Sequence, residues 1–477
     1  MASRDYKLFK EYLARDWYVQ GFSAVPLFLS TAAMSGTFMK KYLGFGYRHF
    51  LFNYHRGYGE MAYDPQDFKH IWRAVKGELA VNKNYLRKIK ALFYKNLLRY
   101  QPFLKKVQAG NLGRLSDREL IDLFKKLIRA QVDYVGVAHI IDAIGVELEK
   151  EFASTLKKEL PPMDPTRFNK IFVRLITPSK ISFVNREENE LLAIKRGAKN
   201  KAALARHAQK YFWLQNSYAG PKPLTADDFR EKLINLKKEK PSQIKKTKLP
   251  IKYHFSQALR QTISIIDYCA VWQDERKALL FKNISYAGAV LKEIAGRLDQ
   301  PVEIFYYISL SETEKIKSLA DLRRMVKILT ERRAGCLIII RGAVDKVISG
   351  PDYRRLMKTS RSLLKDQQHD SREIHGTVAN TGMARGRVQI IRNMESLKNF
   401  KTGDILVASM TRPEYMMAIK KAAAIITDEG GLTCHAAIIA RELNIPAIIG
   451  TKIATRVFKD GDMVEVRANH GIIRILK

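Results

Sequence analysis

The chain has 477 residues, 46% of them hydrophobic, and a formal net charge of +36. That length suggests two to four domains with real cores. Three scattered cysteines, Cys269, Cys336 and Cys434, form neither a disulfide framework nor a metal pattern, so no metal site is expected and a reducing cytoplasm is the expected location.

Residues 17–39 carry no formal charge, but Gln20, Ser23, Ser30, Thr31, Ser35 and Thr37, with Gly21, Pro26 and Gly36, make the stretch too polar and too broken for a clean membrane span. Asp5, Glu11 and Asp16 precede it, which fits a signal peptide poorly. Phe50–Tyr54 and Gly59–Tyr63 read as a small hairpin. A helical pattern runs from about Pro65 to Lys106. Ser116 to Glu119 is a capping box opening another helix to about Leu156. Pro161, Pro162 and Pro165 break the chain and suggest a sub-boundary near 160–175. Thr225 to Asp228 caps a further helix after the Gly220–Pro223 turn. Helices fill most of 254–330, and Gly335–Arg341 reads as a strand.

The polar stretch Asp366–Arg372 reads as a linker. Beyond it the pattern changes to short β-rich runs near 386–392, 404–409, 423–427, 446–449, 462–467 and 471–476. Two helices near 413–421 and 434–443 separate them. Thr411 to Glu414 is a capping box with a proline in the first turn. The expected organisation is 1–365, mainly helical; 366–375, linker; and 376–477, a mixed α/β domain. The overall class is α+β.

The charge is unevenly shared. Residues 373–477 hold 15 Lys/Arg against 10 Asp/Glu, so the preceding 372 residues carry +31. The densest run, Lys237–Lys248, is interrupted by Pro241 and reads as a solvated loop. A field of this sign attracts phosphate-bearing ligands or an acidic partner, and it binds nucleic acid without sequence preference. No nucleic-acid motif and no aromatic-basic repeat is present, so specific nucleic-acid binding is not expected.

The run from Thr427 to Gly450 is the most informative in the chain. It places His435 just after the Gly430–Gly431 pair and at the start of an apolar-periodic helix. The first turn of a helix offers unpaired N–H groups and the positive end of the macrodipole, which favour a phosphoryl group. The same field disfavours imidazolium, so a histidine of reference pKa about 6.5 stays neutral and nucleophilic. Gly430 and Gly431 allow close backbone approach and positive φ. Thr433 is the expected N-cap. Arg441, six positions on, has the reach to turn toward the helix start or toward a phosphate. Asn444 fits the left-handed position that ends the helix, with Pro446 beyond it. Cys434 reads as a small packing residue.

These residues resemble a known family. Thr433-Cys-His435, the glycine-spaced opening Gly376–Val388, the run Ile405–Glu414 and the closing Lys459–Val466 are similar to the mobile phosphohistidine domain of phosphoenolpyruvate-utilising enzymes. That group includes phosphoenolpyruvate synthase, pyruvate phosphate dikinase and rifampicin phosphotransferase. The resemblance covers residues 376–477. It implies a compact β/β/α swivelling domain with His435 as the phosphorylated residue. Asn444 stands where the family usually has Gly, and Arg467 where it often has Asp. Segments 177–183, 211–221 and 272–277 resemble the helical regions that precede the mobile domain in such proteins. By that resemblance Trp272, Arg276 and Lys277 are candidates for binding an acceptor.

No segment resembles the family's ATP-grasp domain or its phosphoenolpyruvate barrel, and neither a P-loop nor a dinucleotide fingerprint occurs. The expected protein is therefore a phosphotransferase component with no intrinsic cofactor. A separate ATP-grasp subunit, using ATP and Mg2+, charges His435, and the helical region presents a small-molecule or protein acceptor. Two further readings stand beside it: a non-catalytic phosphohistidine carrier or regulator, and a basic nucleic-acid-binding protein with a relic mobile domain.

Overall fold

The computed structural model describes residues 17–197, 201–236, 253–342, 344–364, 373–392, 395–411, 415–431 and 434–476. The elements begin β1 (Tyr18–Ser23), α1 (Pro26–Leu43), β2 (His49–His55), β3 (Tyr58–Tyr63), α2 (Pro65–Val81), α3 (Tyr85–Leu98) and α4 (Gln101–Gln108). They continue with α5 (Asp117–Ala138), α6 (Ile140–Glu159), α7 (Pro165–Ile176), α8 (Phe183–Arg196), α9 (Lys201–Tyr211), α10 (Ala226–Asn235) and α11 (Gln257–Leu298). Then come α12 (Leu310–Lys315), α13 (Leu319–Arg332), β4 (Cys336–Arg341), β5 (Val344–Ser349) and α14 (Gly350–Leu364). The last stretch holds β6 (Glu373–His375), β7 (Thr377–Asn380), β8 (Met383–Ile390), β9 (Ile405–Ala408), α15 (Met416–Ile419) and β10 (Ala424–Thr427). It ends with α16 (His435–Leu443), β11 (Ala447–Ile449), α17 (Ala454–Val457), β12 (Met463–Arg467) and β13 (Ile472–Ile475). Two compact units result: Met1–Ala143 with Ser217–Gly220 and Lys282–His369, and Ile144–Asn216 with Pro221–Phe281 and Asp370–Lys477.

The first unit contains an antiparallel sheet in the order β1-β3-β2-β4-β5. Its β2–β3 hairpin is the one expected from sequence. Arg56 and Gly57 both take positive φ, 44° and 87°, as a two-residue hairpin turn requires. The uncharged stretch becomes α1, a core helix. Its hydroxyls are satisfied inside the helix: Thr37 Oγ1 donates to the Met34 carbonyl at 2.8 Å, and Ser30 Oγ to that of Pro26 at 2.5 Å. Among the described residues no helix is long and apolar enough to cross a membrane. A Cβ on Gly136 of α5 would stand 2.6 Å from the Ser35 carbonyl oxygen, so the two helices cross in backbone contact there.

Two helical expectations need correction. The pattern from Pro65 to Lys106 is three helices. Asn82 caps the end of α2, and its Oδ1 accepts from the Asn84 N–H at 3.0 Å, turning the chain into α3. Pro102 occupies the first turn of α4, where a continuing helix would lose a backbone bond. The stretch from Ser116 is likewise two helices, α5 and α6, parted at His139. Both capping boxes read there and at Thr225 are present.

The second unit combines helices from 144–281 with an eight-stranded sheet, ordered β6-β13-β12-β8-β9-β10-β11-β7. Strand β8 serves two partners. Met383–Arg387 pairs antiparallel with β12, and Val388–Ile390 pairs parallel with β9. The parallel strands β8, β9, β10 and β11 are short and apolar, as strands covered on both faces tend to be. Their core, including Val388, Ile405, Val407, Ile426, Ile448, Val464 and Ile473, is drawn wholly from residues between Ile374 and Ile473. Each fully buried aliphatic side chain contributes roughly 1.5–3 kcal/mol, so this domain holds together through its own interior. The six strands and two helices expected from sequence occur here within a few residues. Strands β6 and β7 and helix α17 were not anticipated. Glu373–His375, inside the expected linker, forms β6 against β13. Residues 366–372 of that linker, 412–414 of the expected capping box and the run 237–248 lie outside the described residues.

Candidate functional site

The site forms where β10 hands over to α16. The loop between them is pinned at both ends. Asp428 accepts from Thr451 Oγ1 at 3.1 Å, from the Thr455 N–H at 3.1 Å and from Thr455 Oγ1. The Cys434 N–H donates to the Gly431 carbonyl at 2.8 Å. Gly430 takes φ 115°, and a Cβ there would stand 2.7 Å from Cys434 Sγ, so this position demands glycine for both conformation and space. Gly431 has an ordinary φ. A Cβ there would stand 2.5 Å from Glu149 Oε2 of α6, the end of a flexible side chain that can move aside. The expectation of positive φ for both glycines is thus corrected to Gly430 alone.

Helix α16 starts at His435 with Cys434 as N-cap, whose Sγ accepts from the Ala437 N–H at 3.4 Å. The expected cap, Thr433, lies one residue earlier and outside the described residues. Burial pushes the Cys434 thiol up, which keeps it protonated and suits a packing and capping role. Asn444 ends the helix at φ 56°, ψ 41°, as expected.

His435 is 7% exposed, and its Nδ1 lies 3.1 Å from Thr411 Oγ1. Thr411 comes from the loop after β9 and is itself buried. A hydroxyl can accept from Nδ1–H, and in that arrangement the lone pair stands on Nε2. Arg441 is half-buried in the electrostatic field of Cys434, Glu149 and Glu442, and loss of hydration pulls its guanidinium down to about 10. The side chain therefore turns back toward the helix start and stays charged at neutral pH.

The weaker candidates divide. The charge of Lys277 on α11 acts on both Cys434 and Asp274, which puts it within electrostatic reach of the His435 helix. Arg276 is buried. Trp272 is fully buried, edge-on to Tyr268 at 6.2 Å; it is a core residue, which corrects its reading as a binding aromatic. Residues that sequence reasoning missed are Thr411, Glu149 and Glu442. Thr411 lies within the run that resembles the mobile domain, so position alone was its signal. Glu149 is brought in by packing of a distant helix, and Glu442 lies on α16 itself but meets partners from a distant helix, so no local signal marks either. Among the described residues no group of His, Cys, Asp and Glu is placed to hold a metal ion.

Comparison with known proteins bears on this geometry. Residues 400–471 match the family model of the PEP-utilising enzyme mobile domain. A probable phosphoenolpyruvate synthase of Archaeoglobus fulgidus is 50% identical over 100 residues, covering 21% of this chain and 13% of that protein. The phosphoenolpyruvate synthase of Aeropyrum pernix is 36% identical over 181 residues, 35% of this chain and 22% of that protein. An uncharacterized phosphotransferase of Bacillus subtilis, YvkC, is 42% identical over 115 residues, 24% and 14% respectively. The matches thus span only 13% to 22% of these relatives' length. The mobile domain ties the C-terminal region to phosphotransferases.

Proposed function

We propose that this chain is a phosphotransferase component that carries a phosphoryl group on His435 Nε2. The observation that carries the reading is the Thr411 hydroxyl 3.1 Å from Nδ1 of a histidine at the first position of α16. With Nδ1–H donating to Thr411, the Nε2 lone pair attacks the phosphorus of an incoming phosphate ester or anhydride. The N–P bond forms as the P–O bond to the leaving group breaks. In the return step an acceptor oxygen attacks phosphorus, the N–P bond breaks and the acceptor proton passes to solvent or a base. The start of α16 and the charge of Arg441 favour the phosphoryl dianion.

The donor is a separate ATP-grasp subunit working with ATP and Mg2+, and the acceptor is a small molecule or protein presented by the 144–281 helices. The charge of Lys277 near Cys434 supports that placement. Glycines 430 and 431 shape the loop, and Thr433 precedes the cap in sequence.

The test is incubation of the chain with ATP, Mg2+ and a candidate ATP-grasp protein. An acid-labile, base-stable phosphate is expected in the wild type and absent in His435→Ala. Label persisting in His435→Ala would refute the assignment. Label that moves only to another protein would favour the carrier or regulatory reading.

A further inference from the structure

Two turns along α16 from His435, the side chain of Glu442 leaves its own domain. One oxygen accepts from the Ser182 backbone N–H at 2.8 Å, and the other accepts from Ser182 Oγ at 3.0 Å and from Asn185 Nδ2. These donors open α8, for which Ser182 is the N-cap, a place where a carboxylate is favoured. Asp274 of α11 takes the next amide, the Phe183 N–H, at 3.0 Å and pairs with Arg186 at 2.9 Å. Nearby contacts of the same kind join Lys420 to Glu188, and Asn169 Nδ2 to the Asn469 carbonyl at 2.7 Å.

One buried apolar cluster of the strand domain is drawn from its own residues. Polar contacts of this kind between such a domain and the neighbouring helices set the position of the one against the other. Because α16 is rigid, a contact at Glu442 also fixes His435, which shares its face of the helix seven residues away.

We propose that Glu442 is the docking residue of the carrier helix: its carboxylate, seated on the first turn of α8, sets where His435 stands against the 144–281 helices. Its part in phosphoryl transfer rests on His435 being the carrier; the docking itself does not.

Burial lifts the Glu442 carboxyl to about 7 despite its three donors, and the neighbouring Asp274 adds to the rise. Released into water, the same group titrates near about 4.3. The docked state therefore holds a proton that the released state has lost. Docking is strongest in acid and weakens as pH rises through the docked value. The charged groups around it are Asp274, with Arg186 and Lys277 acting on Asp274, and Arg441 beside it on α16.

The experiment is a spin-label distance measurement on the full chain carrying Ser154→Cys on α6 and Lys459→Cys before β12, both exposed, while the three native cysteines are buried. One narrow distance is expected at about pH 6, with a second, longer component growing by about pH 8. Glu442→Gln keeps the shape and cannot ionise, so its distance distribution should be the same at both pH values. Glu442→Lys should populate the longer component at about pH 6. A Glu442→Lys distribution identical to wild type, or a pH response surviving in Glu442→Gln, would overturn the proposal. Phosphate labelling of the wild type keeps the two ideas apart: an unlabelled His435 in a protein whose distances respond to pH removes the carrier reading and leaves the docking one.

Discussion

His139 in the first unit and His435 in the second are both buried, and their ring nitrogens meet different surroundings. His139 Nδ1 lies 2.8 Å from Asp142 Oδ2, and its Nε2 lies 2.6 Å from the Ala32 carbonyl oxygen. Each ring nitrogen faces an oxygen acceptor, so the ring's hydrogen-bonding capacity is spent on joining α1 to the α5–α6 junction. Tyr47 seals it, edge-on at 6.0 Å, with its hydroxyl donating to the His139 carbonyl. At His435 the Nδ1 neighbour is a hydroxyl, which gives or takes a hydrogen bond as the ring's protonation changes. A histidine that holds a fold is saturated by acceptors. One that exchanges a phosphoryl group needs a neighbour that tolerates the change.

The largest expected effect would break this contrast outright if it failed. His139→Ala removes a packed ring and the two contacts, to Asp142 and to the Ala32 carbonyl, that tie α1 to the α5–α6 junction. It should cost about 2–4 kcal/mol in urea unfolding. His435→Asn should cost about 1 kcal/mol or less while losing all phosphate label. Equal destabilisation by the two substitutions would mean that His435 is as structural as His139.

A smaller effect sharpens the role of the hydroxyl. Thr411→Val keeps the branched shape and deletes Oγ1, so the imidazole loses the group that fixes its tautomer. The loss of one orienting bond, about 1.4–2.7 kcal/mol, predicts a drop in the rate of His435 labelling of about tenfold to a hundredfold. Thermal stability should change little. Unchanged labelling would remove Thr411 from the mechanism and with it the argument for attack by Nε2.

The sequence made the strand domain legible because its signals are local. Glycines, the histidine, the αL asparagine and a proline punctuate short apolar strands, and Asn444 and the six strands fall where those residues put them. Helix breaks at Asn82 and Tyr100 were missed because apolar periodicity runs through them, while the breaks depend on an Asn side chain and on Pro102. Trp272 was misplaced because an aromatic on a half-polar helix looks the same whether it meets a ligand or a core. Glu149 and Glu442 were invisible for a different reason. Each matters through a helix far away in the chain, and no spacing within either segment encodes that encounter.

Arg441 tests the boundary between the two kinds of residue. A guanidinium six positions after His435 invites a purely chemical reading, but this one is partly desolvated between Cys434, Glu149 and Glu442. Burial depresses its titration, so the folded state carries the cost of a buried cation at every pH below about 10, and that cost changes little between about pH 6 and pH 9. Arg441→Lys keeps the charge but substitutes a compact, strongly hydrated ammonium for a planar fork. It should cost about 1 kcal/mol, because the shorter group reaches Glu149 and the helix start less well. Labelling of His435 should slow severalfold for the same reason. The comparison is made at about pH 6, where the substituted ammonium keeps its charge; docking through Glu442, by contrast, is read from its change between about pH 6 and pH 8. A loss above about 3 kcal/mol with normal labelling would assign Arg441 to the fold, beside His139.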